Sequence, residues 1–459
     1  MTTKKTNNNL KKAVKKTAKK TVKSAKKGNK GAIAVVIFVL ILIVAGACTF
    51  AILYGTGKLD GLFGKKPQTT TTVTTTTQST QTGPVVHGDD GITENVKYDN
   101  FQIHFLELGN KYAGDSTYIK AGDTDILIDA GSRKGSAETI KAYVDQFCTD
   151  GKLEYVIATH AHQDHIAGFV GTGSAGNKNG ILYKYQIGTF IDFALSDVTS
   201  TLYTTEYKDA VDYAVIHGAT HNKVNTYFDA SHNPKDSATI TLAEGITMDI
   251  LYNKFYFEAS GDENNYSVCT MFNYNDKHYL LTGDLEKEGE ESIAAYYDGS
   301  TPKKTLPHVE LFKAGHHGSK TSSNECLLEK ICPKMCVACS CAGSTEYTLN
   351  NDTIFPTQDF INRIAKYTSR VYVTTVFDRE TKTFKSLNGN VVVSSDGTNV
   401  GLTAKDLTRL KDTTWFNETI YVVDGKVASG SKGSEEFYTK DSPGAVAIPQ
   451  RTWPANGVQ

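Results

Sequence analysis

The stretch THAHQDHIAG, Thr159 to Gly168, most constrains what this chain can fold into. It follows the apolar run Tyr155 to Ala158, which predicts a buried strand with a polar end. Alternate side chains of an extended backbone share a face, so two histidines can approach one point and a following turn can direct the next ligands to a neighbouring point. Imidazole and carboxylate groups together suit zinc, manganese or iron. The alternative is a chance cluster on a solvated loop. Because the chain has only 12 histidines, three of them seldom crowd together by chance at the end of an apolar strand. We therefore predict a metal site formed by His160, His162, Asp164 and His165.

An uncharged segment near the N-terminus predicts a membrane helix. Gly31 to Gly55 contains no charged residue, and it is longer than the roughly 20 residues that a helix needs to cross a bilayer. Residues 1–30 contain 12 lysines and no acid, and lysines stay on the cytoplasmic side of a membrane. We therefore expect a basic cytoplasmic tail at 1–30, a single membrane helix at 31–55 and an extracytoplasmic body.

Two alternatives remain open for this N-terminal region. The small residues before Cys48 resemble a lipoprotein processing site, which would replace the helix with a lipid on that cysteine. The lysine run can also bind anionic lipid or nucleic acid rather than act only as a topology signal.

The rest of the chain divides into three further predicted parts. Residues 56–95 form a linker, because Thr69 to Thr77 is a threonine run broken only by Val73 and cannot build a core. Alternating strand patterns and amphipathic helix patterns then fill residues 96–400, a length that can bury a large core. The remaining residues form a C-terminal extension at 401–459. There we predict a helix at Leu402 to Lys411, a hairpin at Thr419 to Val427 and a loose last twenty residues.

Several predicted strands end in side chains of the kinds that bind metals. One strand ends at Asp129, the strand His278 to Leu281 is followed by Asp284, and the strand of the VELFKAG segment is followed by His316 and His317. A layered arrangement of sheets whose strand ends converge on one edge explains this recurrence.

Three motifs in fixed order carry a resemblance to a known family: HAHQDH, LLTGD at 280–284 and HHGS at 316–319. With them the chain resembles the metallo-β-lactamase superfamily, and it is most similar to the extracytoplasmic hydrolase domain of the ComEC family of DNA-uptake proteins. The likeness covers about 300 residues, from Val96 to near Gly397. It implies an α/β fold, an αββα sandwich with two metal ions at its edge.

The resemblance also implies roles for individual residues. His160 and His162 would hold the first metal and Asp164 and His165 the second, with Asp284 bridging them. One histidine of the His316/His317 pair would complete the second site. We favour His317 as that ligand and His316 as the residue facing the substrate, with the reverse order as the alternative. The usual third histidine of the first site is missing, and Asn264, Asn265 and Ser267 stand where it is expected. Three other histidines, His217, His221 and His232, are spare candidates for this third ligand, but we expect them to lie at the surface.

The implied chemistry is hydrolysis of a phosphodiester. Two divalent ions, zinc or manganese, activate a shared water and offset the charge of the transition state. Asp164 would orient the nucleophile and His316 would donate a proton to the leaving oxygen. Four residues are candidates for contacting substrate: Asn265, Ser267, Ser319 and Lys320. For Ser319 and Lys320 a polar turn that caps the next helix is an equal alternative.

The substrate class is left between alternatives. DNA is one candidate and a cell-wall polymer is the other, the latter making the protein a teichoic-acid phosphodiester esterase of the phosphorylcholine type. A non-catalytic binding module on the same fold is a third reading. Since the lysines concentrate at 1–30 while the whole chain has a net charge of -1, the body is acidic, which argues mildly against long polyanions.

Five cysteines lie within sixteen residues: Cys326, Cys332, Cys336, Cys339 and Cys341. Their spacing fits no paired CxxC zinc module, and the KMCVACSCAG segment also has the pattern of a buried strand. Because the body has an odd number of cysteines, we expect buried or reduced thiols rather than a full set of disulfides.

Overall fold

A computed structural model of the protein describes residues 91–174 and 176–459. The predicted cytoplasmic tail, the membrane helix, Cys48 and most of the linker therefore lie outside the described residues. Within the two described ranges, no helix is long and apolar enough to cross a bilayer.

The helices follow the periodic segments of the sequence. In chain order they are α1 (Ser136–Val144), α2 (Gln163–Val170), α3 (Ile181–Lys184), α4 (Lys208–Ile216), α5 (Lys287–Tyr296), α6 (Glu325–Ile331), α7 (Gln358–Ile364) and α8 (Thr414–Asn417). Helix α4 directly continues a π-helical segment, Leu202–Tyr207.

The strands of the first part of the described chain are β1 (Ile92–Glu94), β2 (Phe101–Phe105), β3 (Thr117–Ala121), β4 (Thr124–Ile128), β5 (Lys152–Ala158), β6 (Gln186–Asp192), β7 (Thr220–Lys223), β8 (Thr239–Ala243), β9 (Ile246–Ile250), β10 (Thr270–Tyr274) and β11 (Lys277–Leu281). The later strands are β12 (Leu311–Lys313), β13 (Met335–Ala342), β14 (Val371–Asp378), β15 (Thr383–Ser386), β16 (Val391–Ser395), β17 (Val400–Thr403), β18 (Thr419–Val422), β19 (Ala428–Ser429), β20 (Glu436–Phe437) and β21 (Val446–Pro449).

Within the described residues these strands form two large mixed sheets. The first has nine strands in the order β1-β17-β16-β2-β3-β4-β5-β6-β7, and the second has eight in the order β15-β14-β13-β12-β11-β10-β9-β8. Strands β4 to β7 are mutually parallel, as are β11 to β14. Since the carboxyl ends of parallel strands meet at one edge of a sheet, the polar segments after β4, β5, β11 and β12 can converge.

The central strands of the second sheet are buried on both faces, and their alternating side chains reach two different cores. Tyr279, Leu281 and Leu311 pack in one cluster with Ile126 and Val156 of the first sheet. Their neighbours along the same strands point the other way. Leu280 and Phe312 pack against residues of α5, α6 and α7, including Ile293, Leu327 and Phe360.

The first sheet carries helices on its outer face. Ile140 of α1 and Ile166 and Phe169 of α2 are buried in the cluster that contains the first sheet. The layers are therefore helix, sheet, sheet and helix, as the sequence predicted.

The cysteine-rich segment is a buried strand, which confirms the strand interpretation. Cys336, Cys339 and Cys341 lie in β13, all of whose residues are buried. Throughout the described residues the cysteines are free thiols, and burial raises the pKa of the partly buried Cys326 thiol to about 11.

Three predictions for the C-terminal extension are wrong. Residues 402–411 contain no α-helix, because Leu402 lies in β17 and pairs with Glu94 of the distant β1 as well as with Val393 of β16. Strand β18 pairs with the distant β21 instead of forming the predicted local hairpin. Only a single bridge, between Val423 and Lys426, joins the two sides of that segment among the described residues. The last twenty residues are anchored by β21 and by the buried Arg451. In each case a long-range partner overrides the local pattern.

Candidate metal centre

The ends of three strands deliver the predicted ligands to one edge of the sandwich. His160 and His162 lie in the loop after β5, and Asp164 and His165 in the first turn of α2. Asp284 follows β11 and His317 follows β12.

Four of these side chains form a buried cluster, Asp164, His165, Asp284 and His317, whose potential ligand atoms all lie within 4.8 Å of one another. Asp284 is central to it. Its Oδ2 atom is 3.1 Å from Nε2 of His165 and 3.2 Å from Nε2 of His317. Nε2 of His317 is also 3.3 Å from Oδ2 of Asp164. The arrangement of two imidazoles around a shared carboxylate suits a divalent transition metal.

His160 and His162 form a second pair beside this cluster. Nε2 of His160 is 3.0 Å from Nδ1 of His162, and the rings of His160 and His165 have centroids 4.2 Å apart. Burial and the neighbouring imidazoles hold the pKa of His160 well below its usual value. His160 is therefore neutral, the state in which imidazole binds a metal.

None of the three spare histidines, His217, His221 and His232, lies beside His160 and His162 as a third ligand. His221 contacts Asp192, His232 stacks on the ring of Phe257, and the exposed His217 stacks on its own helix.

Hydrogen bonds from behind the cluster fix the histidine rings. Oδ2 of Asp129 accepts from Nδ1 of His165 at 2.7 Å, and both carboxylate oxygens of Asp129 accept from Thr159. Nδ1 of His317 donates to the carbonyl of Cys339 at 2.9 Å. With Nδ1 engaged in both rings, Nε2 is the atom turned toward Asp284.

A buried ion pair beside the cluster was missed by the sequence analysis. Nζ of Lys313 is 2.5 Å from Oδ2 of Asp115 and 3.8 Å from Oδ1 of Asp284. Although burial opposes the charged form, the two carboxylates raise the pKa of Lys313. A lone lysine within the apolar β12 was the signal that could have identified it, since unpaired buried lysines are rare.

The electrostatics of the cluster fit a bound cation. Against the effect of burial, the carboxylates of Asp284 and Asp129 raise the pKa of His165 well above its usual value, and those of Asp284 and Asp115 do the same for His317. Oδ1 of Asp284 is buried and accepts no hydrogen bond from the described residues. The carboxylates of the site thus concentrate negative charge, which a divalent cation can offset in place of the protons of His165 and His317.

A cavity of about 800 Å³ opens onto the cluster, and His162, Asp164 and His316 are among its lining residues. His316 and His317 both have left-handed backbones, with φ of 43° and 55°. This turn separates two adjacent side chains. His317 enters the buried cluster, while His316 stays at the cavity wall with Nδ1 2.9 Å from Oε1 of Glu286.

The predicted substrate residues divide into two groups. Ser319 and Lys320 line the cavity. Asn265 and Ser267 do not line it: Oδ1 of Asn265 accepts from the backbone N–H groups of Glu286 and Gly289, and Oγ of Ser267 accepts from that of Asp284. Both therefore position the loop that carries Asp284.

Residues from distant segments complete the cavity and had no local signal in the sequence. The hydroxyl of Tyr347 donates to Oδ2 of Asp164 at 2.7 Å. The ring of Phe355 packs against His316 and His317, with centroids 5.2 Å and 5.9 Å away. Arg133 and, from the C-terminal extension, Lys432 also line the cavity.

Comparison with known proteins agrees with the three-motif resemblance. Residues 109–242 match the model of the metallo-beta-lactamase superfamily. The chain is 30% identical over 114 residues to Recombination protein 2 of Haemophilus influenzae, a match that covers 25% of this chain and 12% of that protein. It is also 30% identical over 111 residues to ComE operon protein 3 of Bacillus subtilis, covering 24% of this chain and 12% of that protein. The chain thus spans about an eighth of the length of these curated relatives.

Solved structures resemble the chain only at low identity and with low TM-scores. A probable metal-dependent hydrolase from Staphylococcus aureus is 12% identical, with 68% of this chain and 99% of that chain covered and a TM-score of 0.27. CmlA, a diiron beta-hydroxylase from Streptomyces venezuelae, is 9% identical, with 52% and 44% covered and a TM-score of 0.30. The match of residues 109–242 to the family model confirms the resemblance that the motifs predicted.

Proposed function

We propose that this chain, which has a metallo-β-lactamase fold related to competence proteins, is a metal-dependent phosphodiesterase that cuts nucleic-acid strands. The observation that carries the proposal is the buried cluster of Asp164, His165, Asp284 and His317 at the mouth of the cavity. The names of the relatives, which refer to recombination and competence, support nucleic acid as the substrate class.

The residues present fit two divalent ions, zinc or manganese. His160 and His162 would hold one, and Asp164, His165 and His317 the other, with Asp284 shared between them. Bound there, the ions would supply an activated water near neutral pH and offset the charge of the phosphodiester transition state.

Two side chains of the cavity have geometry suited to acid–base work. Asp164 is fixed at Oδ2 by Tyr347 and His317, which holds its carboxylate in one orientation toward an attacking water. Nδ1 of His316 is engaged by Glu286, so Nε2 remains available to the cavity. From there it can donate to a phosphate oxygen or protonate the leaving oxygen.

The decisive experiment uses the full-length protein, stripped of metal and reloaded with manganese or zinc. We expect chelator-sensitive hydrolysis of single-stranded DNA and of bis(p-nitrophenyl) phosphate. Turnover of a teichoic-acid polymer without turnover of DNA would replace this proposal with a cell-wall esterase. Metal-loaded protein that hydrolyses none of the three substrates would point instead to a binding module.

We also propose that the catalytic domain is extracytoplasmic and held by a membrane helix at 31–55. The charge-free segment and the lysine-rich residues before it support this topology. Protease added to intact cells should then digest the body, and protection of the chain from Val96 onward would disprove the arrangement.

A further inference from the structure

The main cavity is joined to a second, smaller pocket. Arg133, Glu346 and Lys432 line both the cavity of about 800 Å³ and a neighbouring pocket of about 220 Å³. The two therefore form one groove. Sites that enclose a whole small ligand have volumes of roughly 300–1,000 Å³. The second pocket is smaller than this range and suits one further unit of a chain that already occupies the first.

Two ammonium groups in the second pocket are available to an anion. Nζ of Lys432 donates to the carbonyl of Tyr347 at 3.0 Å, and Nζ of Lys111 donates to the carbonyl of Lys382 at 3.2 Å. Within the described ranges, neither of these ammonium groups pairs with a carboxylate. Both can therefore bind a phosphate without first breaking an ion pair.

The other charged groups of the second pocket are one ion pair and one carboxylate. Arg133 and Glu346 form an ion pair with each other. The carboxylate of Glu435, which also lines the pocket, is buried; its Oε1 atom accepts from the hydroxyl of Thr345 at 2.9 Å, and its Oε2 atom has no hydrogen-bond partner among the described residues. Lys111 and Lys432 outnumber this one carboxylate, so the pocket presents a net positive charge to a ligand.

Aromatic surface lies next to these cations. Tyr112 and Phe377 line the second pocket. The guanidinium of Arg133 lies over the ring of Tyr112, 3.9 Å from its centroid, and Nζ of Lys111 is 5.7 Å from the centroid of Phe377. A cationic groove with aromatic surface beside it is the combination that holds single-stranded nucleic acid.

We propose that the second pocket is a subsite for the nucleotide next to the scissile phosphate. Lys111 and Lys432 bind its phosphate, and its base packs against Tyr112 and Phe377. The proposal rests on the phosphodiesterase function and deepens it, because it identifies the substrate as a strand with at least two phosphates. It also assigns the C-terminal extension, through Lys432, a part in substrate selection.

The test compares two substrates on the full-length protein. Bis(p-nitrophenyl) phosphate has a single phosphodiester, whereas a six-residue oligothymidylate also fills the second pocket. For Lys432→Gln and for Lys111→Gln, the ratio of kcat/KM for the oligomer to kcat/KM for the small ester should fall about tenfold, which corresponds to about 1.4 kcal/mol. The matched control is Lys440→Gln, an exposed lysine of the same extension that lines neither cavity; its ratio should equal that of the wild type. An unchanged ratio in both groove variants overturns the subsite.

Binding separates failure of the subsite from failure of the catalytic proposal. Anisotropy of labelled oligothymidylate on Asp284→Asn protein needs no turnover, and adding Lys432→Gln should weaken binding and reduce the slope of log affinity against log salt by about 0.7. If binding weakens in this way but no protein hydrolyses either substrate, the catalytic proposal fails and the subsite stands. If hydrolysis occurs but binding and its salt slope do not change, the subsite is wrong. A glycerol-phosphate polymer that competes as strongly as the oligomer would overturn the nucleotide assignment.

Discussion

Replacing Arg451 with methionine should both destabilise the protein and disturb the main cavity. The guanidinium of Arg451 is buried and donates to four acceptors of the segment before α7, at distances from 2.6 to 3.2 Å: the carbonyls of Pro356, Ile354 and Asn351, and Oδ1 of Asn351. That segment includes Phe355, whose ring packs against His316 and His317.

Two opposing effects determine how much the free energy of unfolding decreases in Arg451→Met. Four buried acceptors without donors cost about 1.5 kcal/mol each, or about 6 kcal/mol together. Methionine also removes a buried charge, and burial lowers the pKa of Arg451 from 12.5 to about 10, a shift worth about 3 kcal/mol. The unpaired acceptors therefore outweigh the relieved burial, and the free energy of unfolding should decrease by about 3 kcal/mol.

Urea unfolding of the full-length protein measures this loss. The control is Arg409→Met, because Arg409 is half-exposed and lies 3.9 Å from Glu94, a surface pair worth less than about 1 kcal/mol. Turnover of bis(p-nitrophenyl) phosphate by Arg451→Met should also fall, since Phe355 loses its support. A loss below about 1 kcal/mol, or an equal loss in the control, would refute this reasoning.

Three further predictions concern the site and its surroundings. Asp284→Asn should reduce activity more than any single histidine change, because its carboxylate contacts both His165 and His317; two metals per chain with near-normal turnover would disprove the bridging role. His316→Ala should slow turnover with metal content near normal, whereas His317→Ala should lower metal content, and elemental analysis showing the opposite order would exchange their roles. Burial raises the pKa of Glu290 from 4.5 to about 7, so between these values the folded state holds a proton that the unfolded state has lost. The stabilisation from protonated Glu290 is thus lost as the pH rises toward 7, by about 3 kcal/mol in all. Glu290→Gln should therefore flatten the pH dependence of the free energy of unfolding measured with urea, and an unchanged dependence would exclude Glu290 as its cause.

Local sequence patterns were sufficient to predict the structure of segments whose conformation depends on residues near them in the chain. The apolar run before the histidines predicts a strand because it is short, buried and bounded by polar residues, and β5 has that place. The same holds for β13 in the cysteine-rich segment. The predicted ligands come together because each follows the end of a parallel strand. That rule places His165, Asp284 and His317 on one edge without any knowledge of their contacts.

Local patterns were insufficient where the partner is far along the chain. Tyr347 lies 183 positions from Asp164, to which it donates, and nothing in its own segment marks it as part of the cavity. Lys432 lies in an extension whose pairing with earlier segments no periodicity reveals. The error at 402–411 has the same origin, since Leu402 pairs with Glu94 of β1, far along the chain.

The strand order of the first sheet has a consequence for how the chain matures. Strand β2, buried along its whole length, lies between β3 and β16, and this junction joins residues as distant as Glu107 and Asn390, 283 positions apart. At roughly 5–20 residues per second, a ribosome needs roughly 15–60 seconds to synthesise the intervening chain. For that time β2 has an open, apolar edge of the kind that recruits foreign strands. Chains that are cut short before β16 should therefore aggregate rather than persist as smaller folded domains.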